Sequence, residues 1–146
     1  MKYIIMPLLR YFDFAGRSRR REFWFFFVPL AAILCFTVLI IASAGLGNQA
    51  ETSATASKVL IGILLVAAIP TGAVMARRLH DQNRSGWFVL LGLVPLPAAI
   101  VMEGMGWGVA NPMLGRGALI AFAIMLIVMC IKGTPGANRF GPDPRV

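Results

Sequence analysis

The sequence predicts an all-α integral membrane protein with four transmembrane helices, an interfacial N-terminal segment and a Pro/Gly-rich cytoplasmic tail. Three observations predict it. The chain is 58% hydrophobic and only 14% charged, with a mean hydropathy of +0.77. Four long runs, Phe23 to Ala44, Val59 to Met75, Trp87 to Met102 and Gly117 to Ile131, contain no Asp, Glu, Lys or Arg. The positive charge is concentrated in alternate connections. An ionised group at the bilayer centre costs at least ~2.5 kcal/mol on insertion scales, so uncharged runs are what spanning helices require. A soluble core has no room for four such helices in 146 residues.

The whole chain reads as a single membrane domain, residues 1–146, with helices at about 20–44, 57–79, 85–103 and 114–132. The opening stretch "MKYIIMPLLRYFDFAG" is interrupted by Pro7 and ended by Gly16, and reads as a segment at the headgroups. Ser18 is then expected to cap a helix entering through Arg19, Arg20, Arg21 and Glu22, with Trp24 as an interfacial anchor. Ala42-Ser43-Ala44 has the small-x-small form of a cleavage site. The apolar run before it exceeds the roughly 7 to 15 residues of a signal-peptide h-region, so the first helix is read as a span.

In the second helix Ala68, Gly72 and Ala76 form a stripe of small residues that lets a neighbour approach. Pro70 removes the donor for the Val66 carbonyl, so a kink or a substitute hydrogen-bond donor is expected there. The third helix starts near Trp87, an inner anchor, and carries Pro95 and Pro97; Trp107 beyond it reads as an outer anchor. The third and fourth runs are short against the roughly 20 residues that cross about 30 Å of hydrocarbon, and need flanking residues such as Ser85 and Leu114. After Lys132 the tail holds Pro135, Gly136, Gly141, Pro142 and Pro144, which exclude a helix and suggest that it folds back.

Twelve of the fourteen Lys and Arg lie before the first run, between the second and third, or after the fourth. With four spans those segments share one side, and the positive-inside rule makes it cytoplasmic, as expected of a multi-pass protein of a bacterial inner membrane. The same placement argues against nucleic acid as the partner of the net +8 charge. Cys35 and Cys130 sit at depths about 18 Å and one turn from that side, too far apart to be bridged, and are expected to be free thiols.

The stretch "ARRLHDQNRSGWF", Ala76 to Phe88, is the densest polar cluster. Neighbours on a helix point about 100° apart, so Asp81 is poorly placed to orient His80, and one histidine with no nearby cysteine makes no metal site. No enzymatic activity and no cofactor are expected. Arg77 and Asp81 stand i, i+4 and are expected to pair, leaving Arg78 to face phosphates.

"RYFDFAGRSRRREFW" (Arg10 to Trp24), "RRLHDQNRSGW" (Arg77 to Trp87) and "GTPGANRFGPDP" (Gly133 to Pro144) follow one another in an order that resembles the small YhaH-like bacterial inner-membrane proteins, domain-of-unknown-function family eight hundred and five. The resemblance covers nearly the whole chain. It implies a four-helix inner-membrane protein and brings no activity with it. Gln82-Asn83 stands where that family is expected to carry Thr-Gly, and Asn tolerates the positive φ a glycine would supply.

The function expected from these readings is a structural or interaction module whose basic cytoplasmic face binds anionic lipid headgroups or a protein partner. The residues assigned to that face are Arg19, Arg20, Arg21, Arg77, Arg78, His80, Asp81, Arg84, Asn138 and Arg139. The alternative is a small channel or transporter, which would need a homo-oligomer to enclose a pore. A polar cavity at mid-membrane depth around Thr37, Ser43, Thr71 and Pro70 would favour that alternative.

Overall fold

The structure, a computed structural model, describes residues 9–46, 50–95 and 112–144. Regular structure among them is helical, apart from one isolated bridge between Asn138 and Gly141. Helix α1 spans Arg20–Leu46 and α2 spans Ala50–Asp81. A 3-10 turn, Gly86–Phe88, leads into the short α3, Val89–Leu93, and α4 spans Pro112–Cys130. The expected second half of the third helix, with Pro97, lies outside the described residues, as does Trp107. The second helix starts earlier than expected.

Two stretches are long and apolar enough to cross a bilayer. Arg20–Ser43 contains a window of mean hydropathy 2.8 and Lys58–Asp81 one of 2.4, while Gly115–Cys130 is a shorter apolar helix. Their outward faces carry Phe25, Val28, Phe36, Leu65, Ile120 and Ile127, all exposed. Water would penalise that surface at roughly 25 cal/mol per Å², whereas acyl chains do not. The packed core instead sits at one end, where Phe23, Phe26, Val74, Met75, Leu79, Val89 and Met129 meet.

The same end collects the polar termini. Ser18 donates its backbone N–H to the Arg77 carbonyl at 3.1 Å, and Arg20 reaches the Cys130 carbonyl at 3.3 Å. The start of α1 and the ends of α2 and α4 are therefore neighbours. Helix α1 begins one residue later than a Ser18 cap requires: the Arg19 carbonyl accepts the first bond, from Phe23 at 3.3 Å. The Ser18 hydroxyl is buried without a partner among the described residues. Glu22 in the first turn complements the helix dipole instead.

Helix α2 runs through Pro70 without ending. The Val66 carbonyl that Pro70 cannot serve accepts the Tyr11 hydroxyl. At the other end of the same segment, the Gly16 carbonyl contacts His80 Nδ1 at 3.1 Å. Val66 and His80 are about 21 Å apart along the helix, so the segment from Tyr11 to Gly16 runs along α2.

Helix α2 stops by a Schellman arrangement. Asn83 takes φ +58°; Arg84 N–H bonds to the Leu79 carbonyl at 2.9 Å and Asn83 N–H to the His80 carbonyl at 3.0 Å. An asparagine at the left-handed position does here what a glycine would do at lower cost. Past the turn, Gly92 lets α3 lie against α4: a Cβ there would come within 2.6 Å of Met125 Cγ.

Candidate functional site

The polar end is built around the Asp81 carboxylate, which is buried. Arg17 donates to its Oδ1 from Nε at 3.0 Å and from Nη2 at 2.8 Å. Arg78, one turn back on the same helix, donates to Oδ2. Both guanidinium groups are 1% exposed. This corrects the expected i, i+4 pair: Asp81 is shared by Arg17 and Arg78, and Arg77 turns the other way. Arg77 pairs with Glu22 at 3.3 Å and donates to the Asp13 and Arg10 carbonyls. Spacings of three and four both bring side chains together, so sequence separation could not choose between Arg77 and Arg78.

The arginines also terminate α4. Its last carbonyls have no intrahelical donors and carry the negative end of the dipole. Gln82 Nε2 reaches the Val128 carbonyl at 2.7 Å, Arg78 Nε the Met129 carbonyl at 3.2 Å, and Arg20 the Cys130 carbonyl at 3.3 Å. Arg78 Nη2 donates to the Ile131 carbonyl. Arg78 is thus a buried brace between α2 and α4, its side chain 1% exposed where the sequence reading had it turned to the headgroups.

The tail folds back over this centre. Thr134 bonds to the Asp81 carbonyl through its N–H at 2.8 Å and its hydroxyl at 3.1 Å. Arg17 donates to the Thr134 and Gly136 carbonyls, both at 2.6 Å. Asn138 Nδ2 lies 2.9 Å from the His80 carbonyl. Phe140 stacks flat on the His80 ring at 4.0 Å between centroids, and the Arg139 guanidinium sits over the Phe140 ring, 4.7 Å from its centroid. Arg139 also donates to the Asn83 carbonyl at 3.1 Å. Glycine is required at position 133, because a Cβ would run into the Asp81 carboxylate.

The remaining assigned residues divide by exposure. Arg19 is half-buried and donates to the Pro144 carbonyl. Arg20, Arg21, Arg84 and Arg139 are exposed. Trp87 is 78% exposed, suiting an anchor, whereas Trp24 is partly covered by edge contacts with Phe23 and Phe27. Within the first motif, the Arg10 guanidinium hydrogen-bonded to Asp13 holds that carboxyl below the usual carboxylate range. Residues that sequence reasoning left out of the site are Glu22, Thr134 and Tyr11, while Arg17 and Gln82 lay within the basic stretches, Arg17 to Arg21 and Arg77 to Arg84, without a role of their own. Only Tyr11 had a signal, the donor missing at Pro70.

Chemically, the centre holds side chains in place. Both Asp81 oxygens are taken by cations, and His80 Nδ1 faces a carbonyl, which can only accept. Nδ1 therefore carries the proton, and Nε2 of the neutral ring is an acceptor. Among the described residues, no three His, Cys, Asp or Glu side chains gather as a metal site would need. Two cavities adjoin the centre. One, about 320 Å³, is walled by Arg19, Arg20, Arg21, Arg78, Asp81, Gly133 and Pro144. The other, about 710 Å³, lies along the opposite side of α2 and is almost entirely apolar.

The three motifs that meet here are those by which the sequence resembles a known family, and comparison with known proteins agrees. The family model described as "Protein of unknown function (DUF805)" matches residues 11–142. Inner membrane protein YhaH of Escherichia coli (strain K12) is 35% identical over 146 residues, covering 100% of this chain and 98% of that one. Inner membrane protein YhaI of the same strain is 30% identical over 145 residues, with 99% and 97% covered. Uncharacterized protein YiiR is 31% identical over 138 residues, 90% and 86% of the two chains. No solved structure matches. With its helical, lipid-compatible surface and its full-length likeness to inner membrane proteins, the chain belongs to the DUF805 family of proteins of unknown function.

Proposed function

We propose that this chain is a four-span inner membrane protein with both termini in the cytoplasm, and that its basic cytoplasmic face binds the headgroups of anionic lipids. The observation that carries the reading is the 320 Å³ cavity, which four arginines and a single carboxylate line. That carboxylate, Asp81, is already shared by Arg17 and Arg78. Arg20 and Arg21 are exposed, and each guanidinium has five N–H donors, of which Arg20 commits one to Cys130. The binding role therefore falls to Arg19, Arg20 and Arg21, while Arg77, Arg78 and Asp81 hold the face together.

The protein acts in this reading as a binding or structural module without catalysis. A protein partner or a second copy of the chain is the alternative ligand for the same face. A channel or transporter is the weaker reading. The Thr37 hydroxyl donates to the Ile33 carbonyl and Ser43 to Ile40, both at 2.9 Å within their own helix, and Tyr11 occupies the carbonyl freed at Pro70.

Two measurements test the proposal. A phosphatase that folds only outside the cytoplasm, fused after Val146, should be inactive; activity there rejects the topology. Each Arg near an anionic surface contributes ~1 kcal/mol, so an Arg20→Gln, Arg21→Gln variant should hold phosphatidylglycerol and cardiolipin roughly thirtyfold more weakly at low salt. The difference should shrink as salt is raised, since a Debye length is about 8 Å at physiological ionic strength. Native mass spectra with equal retention in parent and variant would reject lipid binding at these arginines.

A further inference from the structure

The small-residue stripe of α2 does not simply receive a helix. Ala68, Gly72 and Ala76 form the floor of the 710 Å³ cavity, whose walls include Phe14, Leu93 and Phe140. Leu93 and Phe14 touch the stripe near Gly72, 3.5 and 3.7 Å from where a Cβ would stand, yet the space beside them stays open. Its size falls in the range of about 300–1,000 Å³ typical of small-molecule sites. The stripe lies within the apolar stretch Lys58–Asp81, which is long and apolar enough to cross a bilayer, and with α2 as a span the medium around it is acyl chain. An empty cleft there would forfeit the dispersion contacts that chains supply on every other face.

One end of the cleft is polar. His80, Ser85 and Gly86 line it. His80 Nε2 is the accepting nitrogen of its ring and lies in the gap that Gly86 leaves by having no side chain, 3.0 Å from where its Cβ would be. Arg84 and Arg139 are exposed and neighbour two of the lining residues, Arg84 preceding Ser85 in the chain and Arg139 lying over the Phe140 ring. Two cations call for a phosphate. An accepting nitrogen calls for a hydroxyl donor, and the same cations disfavour an ammonium group beside it. His80 and Arg78 are two residues apart, about 200° around the helix, so this end is separate from the arginine cavity on the other side.

We infer that this cleft is a site for phosphatidylglycerol, with one acyl chain along Ala68, Gly72 and Leu93, the phosphate between Arg84 and Arg139, and a glycerol hydroxyl on His80 Nε2. The inference rests on α2 spanning the bilayer and is independent of binding at Arg19 to Arg21.

The test uses the full chain in nanodiscs containing phosphatidylglycerol with a photoactivatable acyl chain, crosslinks being located by peptide mass spectrometry. Label should concentrate on the peptides holding Ala68 to Gly72 and Trp87 to Leu93, and a phosphatidylethanolamine probe should label them several-fold less. Gly72→Leu, which fills the cleft, should reduce that label at least fivefold, and so should an Arg84→Gln, Arg139→Gln pair. Gly62→Leu, on the same helix with nothing near its Cβ, should not. Should Gly72→Leu lower the melting temperature, Ala68→Phe serves in its place. Label spread evenly over α1 and α2, or label indifferent to both cleft-filling variants, would each overturn the site. The Arg20→Gln, Arg21→Gln variant should keep the cleft label, which distinguishes failure here from failure at the arginine cavity.

Discussion

Asp81→Ala is expected to destabilise the folded protein by about 3–5 kcal/mol, the range for breaking a buried ion pair by removing one partner. Asp81 is the shared acceptor of Arg17 and Arg78, and both guanidinium groups are 1% exposed. Removing it leaves two buried cations whose other partners, the Thr134, Gly136 and Met129 carbonyls, offer only partial charges. The internal comparison is Asp13→Ala. Asp13 is paired with Arg10, but the two side chains are 40% and 36% exposed. Such solvent-exposed pairs contribute at most about 1 kcal/mol. Reversible unfolding in mixed micelles should separate the two variants clearly. Equal effects would mean that the Asp81 cluster is wetter than its geometry indicates, and that the three segments are held by apolar packing alone.

Arg17→Lys is expected to release the tail even though it keeps the charge. Arg17 reaches Asp81 through Nε and Nη2 while Nη1 and Nη2 hold the Gly136 and Thr134 carbonyls. A planar fork can serve a carboxylate and two carbonyls on different sides at once, and a compact ammonium cannot. Each hydrogen bond involving a charged group contributes about 1.5–3 kcal/mol, so losing even one of the tail bonds should loosen residues 133–144 by roughly that amount. Tryptic cleavage after Arg139 should then accelerate about tenfold or more, with little change in the unfolding of the helices themselves. An unchanged cleavage rate would show that Thr134 and Asn138, bonded to the Asp81 and His80 carbonyls, suffice to hold the tail.

These two residues show where sequence reasoning reached and where it stopped. That Asp81 matters was legible, because one carboxylate among Arg77, Arg78 and Arg84 needs a reason to be there. Its partners were not. Arg17 is sixty-four positions away, and nothing in "GRSRRREFW" separates it from the exposed Arg20 and Arg21. The position of Phe140 on His80 was equally hidden, since proline and glycine say that a tail turns but not what it covers.

The sequence by itself determined the membrane character of the protein, through uncharged runs that only lipid accommodates, and the grouping of basic segments. It determined two local events as well, because their causes are local: a carbonyl needing a donor at Pro70, which Tyr11 meets, and a left-handed turn that Asn83 can adopt. Only the tertiary structure decided which arginines are buried braces and which remain exposed, and that the small stripe of α2 borders an open cleft. The physical reason is reach. A guanidinium on a long flexible stem can bond any acceptor within several ångströms, so its partner is set by which chain segments the fold brings alongside, and the helix spacing of three or four residues leaves that choice open.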